Sequence, residues 1–573
     1  MNLSGVCSIK PEFVIEDQKR ELNLDCVSEK DKETIKNDQE PEGKKLRLSK
    51  KEKKKLHGQN KARPIFRQNK DKELCNSLLN VSIGQEFQKC TKIKCFFMHD
   101  VKEYLNTKSE DIGSECYNFI TQGLCMRGLT CRFGKHHLTP EGYNLVNEEQ
   151  QKSFKELGPH TINSLSYELQ NSLRKRTYDF KLAEKVVKYN DLQRKNNSAQ
   201  QSSGCITDED IIKTLNREKT KIDWNNKLML SPLTTVGNLP FRRICKEFGA
   251  DITCGEMAMC SSLLQGLPQE WALVKRHHTE NIFGVQLCAN NPHLLTKCGQ
   301  MLEKEIKVDF IDLNLGCPIE LVYKDGGGCG LLRRPRVLEA CIRSLSQVLN
   351  IPLTVKTRTG VYSTESIAHD LIPKFGEWGA SMVTIHGRSR EQRYTKLADW
   401  DYIKLCANKA APLPVVGNGD ILSYEDYKRA TEKCPELQAI MIGRGALLKP
   451  WIFTEIKEQK LWDISSSERF DLVKKYVNYG LEHWGSDTKG VENTRRFLLE
   501  WLSFLYRYVP VGLLENQPQK INERPPRFRG RDDLETLLAS PAASDWIKIS
   551  EMLLGKVPED FQFLPKHKSN SYL

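Results

Sequence analysis

Between about residues 225 and 455 the chain alternates short β-branched runs with longer segments of helical character. The runs are LMLSPL from 228, ADITCGEMA from 250, IFGVQLC from 282, DFIDLNLGC from 309, LTVKTRT from 353, SMVTIHGR from 381, PVVGNGDI from 414 and AIMIGRGA from 439. Strand and helix alternating in this way is the pattern of a parallel sheet. Eight such units within roughly 230 residues match a (β/α)8 TIM barrel better than an open doubly wound sheet. The expected fold class is therefore α/β, with the barrel over residues 221–455.

The flanks have a different texture. Beyond 455, SSSERFDLVKKYVNYGLEHW opens with a capping box of Ser465 and Glu468, and TRRFLLEWLSFLYRYV carries apolar residues at helical spacing. Residues 456–573 thus read as a C-terminal helical domain. Ahead of the barrel, 141–220 is a polar, helix-prone region that includes the soft stretch NNSAQQSSG at 196–204. Residues 71–140 hold two Cys/His clusters, and 1–70 are charged and poor in aromatics, which predicts a disordered basic segment.

Composition sharpens this picture. The 87 Lys and Arg outnumber 74 Asp and Glu, a formal charge of +13 that favours an anionic partner. Residues 44–55, KKLRLSKKEKKK, hold eight of the basic residues against one Glu, a run that is either a solvated tail, an RNA contact or a nuclear import signal. No apolar run approaches the roughly 18 residues of a membrane helix, and MNLSGVCSIKPEF lacks a signal-peptide core, so a soluble protein of cytoplasm or nucleus is expected. In such a compartment nineteen cysteines are not a disulfide framework, and clustered ones read as metal ligands.

Cys116, Cys125 and Cys131 are followed by His136 and His137, of which His137 is preferred; Cys75, Cys90, Cys95 and His99 form a second set with a long first gap, in which Cys75 is the weakest member. Three thiolates and one imidazole suit tetrahedral Zn2+ in a closed, structural site. The spacing resembles tandem CCCH zinc fingers. Phe96, Phe97, Tyr117, Phe119 and Phe133 lie among the ligands, either stacking on unpaired bases or packing the small cores.

In a TIM barrel the chemistry gathers at the carboxyl ends of the strands, with phosphate often bound after strands 7 and 8. At those two places stand GNGD, Gly417 to Asp420, and GRGA, Gly443 to Ala446. Glycines let backbone N–H groups approach an anion, and Arg444 adds a charged fork. Gln286, Asn314, Lys356, Arg358 and His386 end the preceding runs. A flavin needs donors along its uracil-like edge and a positive charge near N1 and O2, which Lys356 could supply.

The strings SPLT at 231–234, DLNLGCP at 312–318, GGGCGLL at 326–332, VKTR at 355–358, IHGR at 385–388, GNGDI at 417–421 and MIGRGAL at 441–447 resemble the tRNA-dihydrouridine synthases. The finger pair, the tail TRRFLLEWLSFLYRYVPVGLLE, and INERPP and FLPKHK are similar to the eukaryotic type acting on the variable-loop uridine at tRNA position 47. The resemblance implies FMN contacts from Pro232, Leu233, Thr234, Gln286, Lys356, His386, Asn418, Gly419, Asp420, Gly443 and Arg444, and Cys317 as proton donor. It implies NADPH or NADH as reductant and tRNA as substrate, with mRNA uridines a further candidate; a monomer is expected. Hydride added at uracil C6 leaves an anion that must be protonated at C5, and a thiol with a pKa near 8.5 is protonated at neutral pH. Further RNA contact is expected from the fingers, the basic run, and Arg495, Arg496, Arg507, Arg524, Arg527, Arg529 and Arg531 of the tail.

Overall fold

Eight strands close on themselves: β1 (Lys227–Leu230), β2 (Ile252–Cys254), β3 (Ile282–Cys288), β4 (Phe310–Asn314), β5 (Leu353–Arg358), β6 (Met382–His386), β7 (Val415–Asn418) and β8 (Ala439–Ile442). This computed structural model describes residues 6–15, 63, 73–198 and 219–567, apart from 88, 93, 159 and 395. The basic run at 44–55 and most of the soft stretch at 196–204 lie outside these residues. Each strand pairs in parallel with its sequence neighbour, and β8 with β1 completes the ring. The expected TIM barrel is therefore present, with every predicted run supplying its strand.

Two apolar layers hold it. Inside, Met229, Ile252, Phe310, Met382, Val416 and Met441 fill the lower barrel, and the Trp224 ring stands edge-on to Phe310 with centroids 5.6 Å apart. Gly284 is required here, because a Cβ at that position would lie 2.2 Å from the Phe310 ring. Outside, the strands' other faces pack on helices such as Pro292–Glu305, Pro335–Val348 and Ala368–Glu377. The helix Lys181–Ser198, within the region read as helix-prone linker, joins this layer: Val186 is buried, and Asn190 donates to Ser344 Oγ and Gln347 Oε1. The barrel's compact unit accordingly runs over 152–462 and 520–522.

The second compact unit contains 1–151, 463–519 and 523–573. Its helices Ser466–Trp484 and Thr488–Leu505 are long and apolar on one face, and the expected capping box at Ser465 and Glu468 is formed. Two expectations fail in this unit. Residues 6–15 are ordered rather than part of a disordered tail: Cys7 and Ile9 pack with Val509, Leu513, Leu514 and Phe528, an apolar anchor that average composition hid. Arg495 is buried, donating to Ser550 Oγ and the carbonyls of Leu554 and Gly555, so it holds helices together rather than facing RNA. Arg531 pairs with Asp463 and Glu535 and is exposed, as are Arg524, Arg527 and Arg529.

Candidate active site

Cys317 lies just beyond β4, and its position is set by a chain of polar side chains. Thr354 Oγ1 donates to Asp312 Oδ1, and Gln286 Nε2 donates to Asp312 Oδ2. Asn314 Nδ2 then donates to Gln286 Oε1, while Asn314 Oδ1 accepts from the backbone N–H of Cys317 at 2.9 Å. Each amide is thereby fixed in orientation, because a reversed amide would put donor against donor. Gln286 spends its carbonyl and one N–H inside the protein, which leaves one amide proton for a ligand. Asn314, not assigned a role from sequence, is the link between strand and cysteine.

The thiol is only 8% exposed and sits against Cys288, Val322 and Met259. Burial raises its pKa, partly opposed by Arg358 and Arg390, so the group is a thiol rather than a thiolate at neutral pH. Gly328 of the glycine-rich string closes over it. A Cβ there would lie 3.0 Å from Cys317 Cβ, and its φ of +53° is a left-handed conformation.

On the other side of the mouth, Lys356 Nζ reaches past β6 to Asn418 Oδ1 at 3.3 Å, and Asn418 Nδ2 donates to the Met441 carbonyl. Burial, and then Arg358, lower the Lys356 pKa to about 8. The same two factors, with Lys356, Arg388 and Arg444, hold His386 well below its ordinary value and therefore neutral. Arg388 Nη1 lies 3.2 Å from His386 Nε2; guanidinium only donates, so Nε2 accepts and Nδ1 carries the proton.

Asp420 organises the arginines. Its carboxylate accepts twice from Arg388 Nη2, at 2.8 and 2.6 Å, once from Arg444 Nη2 at 2.7 Å, and once from the Ala398 N–H at 2.7 Å. Arg444 also lies over the Tyr394 ring and donates to Asn522. Asp420 holds φ +52°, and a Cβ on the preceding Gly419 would come 2.4 Å from Ala398 Cβ. Asp420 thus positions Arg388 and Arg444, where the sequence suggested a direct cofactor contact. Gly443 faces Ser231 and Leu233, so the SPLT and GRGA strings meet at one place.

The chemistry of this donor set fits a phosphorylated flavin. The four cations around His386 exceed what Asp420 and Asp312 neutralise, and Lys356 has a single weak acceptor. An anionic cofactor would supply the missing charge.

The Dihydrouridine synthase (Dus) family matches residues 229–504. A Xenopus tropicalis protein, "tRNA-dihydrouridine(47) synthase [NAD(P)(+)]-like", is 51% identical over 99% of this chain and 96% of its own length. The Homo sapiens protein of the same description is 53% identical over 91% of this chain and 84% of its own. A Coprinopsis cinerea "tRNA-dihydrouridine(47) synthase [NAD(P)(+)]" is 40% identical over 99% and 98%. The chain belongs to the dihydrouridine synthase family.

Ahead of its synthase barrel both Cys/His sets are assembled. Cys116, Cys125, Cys131 and His137 are all buried, with ligand atoms within 4.8 Å of one another. His137 Nδ1 lies 2.8 Å from Asn144 Oδ1, and Nε2 is buried with no hydrogen-bond partner, which suits a metal ligand oriented by a carbonyl. His136 instead accepts from the Cys116 N–H through Nδ1, outside the cluster. Cys75, Cys90, Cys95 and His99 also converge. The Cys75 N–H donates to the Met98 carbonyl beside His99, so the first ligand is held next to the last despite the long first gap. Among the interspersed rings only Phe96 is fully exposed, at 77%; Phe133 is buried, and Phe119 packs on both histidines. The stacking role expected of these rings is thus open to Phe96 and is taken up by packing at Phe133.

Proposed function

We propose that this synthase reduces uridine to 5,6-dihydrouridine in tRNA, at variable-loop position 47, the position in its relatives' names. The observation that carries the reading is the placement of Cys317, held by Asn314 on the rim opposite the Lys356, His386 and Asn418 cluster. FMN, reduced by NADPH or NADH, supplies the hydride for uracil C6 when bound. Pro232 to Thr234, Gln286, Lys356, His386, Asn418, Gly419, Gly443 and Arg444 are the residues that would hold it. Lys356 carries the positive charge for the flavin's anionic edge, and His386 offers its Nδ1 proton.

The uracil needs one proton at C5, and Cys317 Sγ provides it as general acid. The buried setting keeps the proton on sulfur until the substrate base arrives, and the base must leave its stack to reach the mouth. The paired Cys/His sets hold Zn2+ and, with Arg524, Arg527 and Arg529, contact tRNA; mRNA uridines are further substrates. The protein acts as a monomer in cytoplasm or nucleus. Among the described residues no helix is long and apolar enough to cross a membrane.

Single-turnover oxidation of prereduced enzyme by unmodified tRNA tests the reading. Cys317→Ala should retain FMN and its reduction by NADPH, yet form dihydrouridine about 10² to 10⁴ times more slowly. Equal rates in variant and wild type would remove Cys317 from the reaction.

A further inference from the structure

A third histidine-bearing cluster lies within the barrel's own unit, apart from the barrel mouth. Residues Thr161–Ile162 pair antiparallel with Arg276–His277, Thr161 opposite His277. The His278 N–H donates to the His160 carbonyl, continuing the ladder and setting His160 opposite His278. His160, His277 and His278 therefore converge, with one ligand nitrogen from each within 4.8 Å of the others. Their ring centroids are 4.3 to 5.8 Å apart.

Two features make this more than ring packing. His277 is 2% exposed; its Nδ1 lies 2.8 Å from Thr279 Oγ1, and Nε2 is buried with no hydrogen-bond partner. A buried ring nitrogen without a partner is unfavourable unless a ligand meets it. His278 is exposed, so solvent can complete the coordination.

We propose that His160, His277 and His278 form a third metal site, taking a zinc-class divalent ion through three imidazole nitrogens. Imidazole donors without thiolate or carboxylate suit Zn2+, Co2+, Ni2+ or Cu2+ rather than Mg2+ or Ca2+. The site lies at the amino-terminal end of the barrel, because His277 and His278 precede β3 while Gln286 stands toward its other end. Asn163 reinforces the same junction, bonding the Val274 and Lys307 carbonyls and the Lys307 N–H. The ion clips the chain leading into the barrel onto the barrel's base, and its role is structural.

The test uses the full-length flavoprotein with its finger sites filled by zinc, equilibrated with micromolar Co2+ and freed of excess by gel filtration. Wild type should retain one cobalt per chain in addition to two zinc, with a d–d spectrum lacking thiolate charge transfer. His278→Ala, at an exposed position, should retain no cobalt while keeping full flavin and both zinc ions, and His160→Ala should match it. Co2+ should also raise the Tm of wild type and leave that of His278→Ala unchanged. Two metals per chain in wild type, or equal cobalt uptake in the variants, would overturn the site.

Discussion

Asp420→Asn separates two roles for the GNGD string, contact with the cofactor and support of the wall behind it. The carboxylate receives four hydrogen bonds, three of them from guanidinium groups, and the Arg388 side chain is fully buried. An asparagine keeps one acceptor and turns an N–H2 toward Arg388 or the Ala398 N–H, donor against donor. Removing one partner from a buried ion pair costs about 3–5 kcal/mol, most of it the charge left uncompensated. At about 2–4 °C per kcal/mol for a large domain, the Tm should fall by roughly 6 °C or more. Because the loss arises within the protein, it should appear in the flavin-free form as fully as in the flavin-bound form. FMN affinity should fall as well, through a displaced Arg444. The assay is differential scanning fluorimetry of apo- and holoprotein, with FMN binding followed by fluorescence quenching. An apoprotein Tm within 1 °C of wild type, with destabilisation only when FMN is bound, would refute the reasoning and return Asp420 to direct cofactor contact.

Other outcomes follow from the same geometry. Lys356 has its folded pKa lowered to about 8, so it is charged below that pH and loses its proton above it; FMN affinity of the apoprotein should fall as pH rises through about 8, a step that Lys356→Met abolishes. The same shift means the folded apoprotein binds fewer protons than the unfolded chain between about 8 and 10.5, so this lysine's contribution to apoprotein stability improves with pH in that window. Gly328→Ala pushes a methyl against Cys317 and should slow dihydrouridine formation roughly tenfold or more, since small misplacements of a reacting group are costly, while flavin content stays normal; an unchanged rate would show that the loop gives way. His137→Ala should remove one zinc per chain and lower tRNA affinity, whereas His136→Ala should keep both zinc ions, as read by metal analysis and filter binding.

The parts of this molecule that were legible in the sequence are those in which neighbours along the chain do the work. Each barrel strand is a short local run, and its last polar residue marks the mouth, which is why Lys356, His386 and Asn418 could be placed before their contacts were known. Cys317 was legible because Pro318 and the strand before it fix its place on the rim. What stayed hidden depends on partners far along the chain. Arg495 resembles any surface arginine on a helix until Ser550 and the carbonyls of Leu554 and Gly555 surround it. Cys7 and Ile9 belong to a short apolar segment, VCSIKPEFVI, that the charged composition of residues 1–70 as a whole masks, and the slot that receives it is offered by Val509, Leu513 and Phe528, far along the chain.

Asp420 and Gln286 show why a residue's type and place at a strand end do not determine what it contacts. Both stand where cofactor ligands are expected, yet their hydrogen-bonding groups are largely engaged within the protein: Asp420 by two arginines, Gln286 by Asp312 and Asn314. A buried polar group must be satisfied by something, and a cofactor that binds and leaves cannot be its only partner without cost to the empty protein. The network through Thr354, Asp312, Gln286 and Asn314 lets the mouth keep its shape between cofactor states, and it ends on the backbone N–H of Cys317. The residue that donates the proton is therefore held by the same chain of amides that lines the cofactor's edge. Substitutions along that chain should disturb the acid and the flavin together, whereas Cys317→Ala separates them.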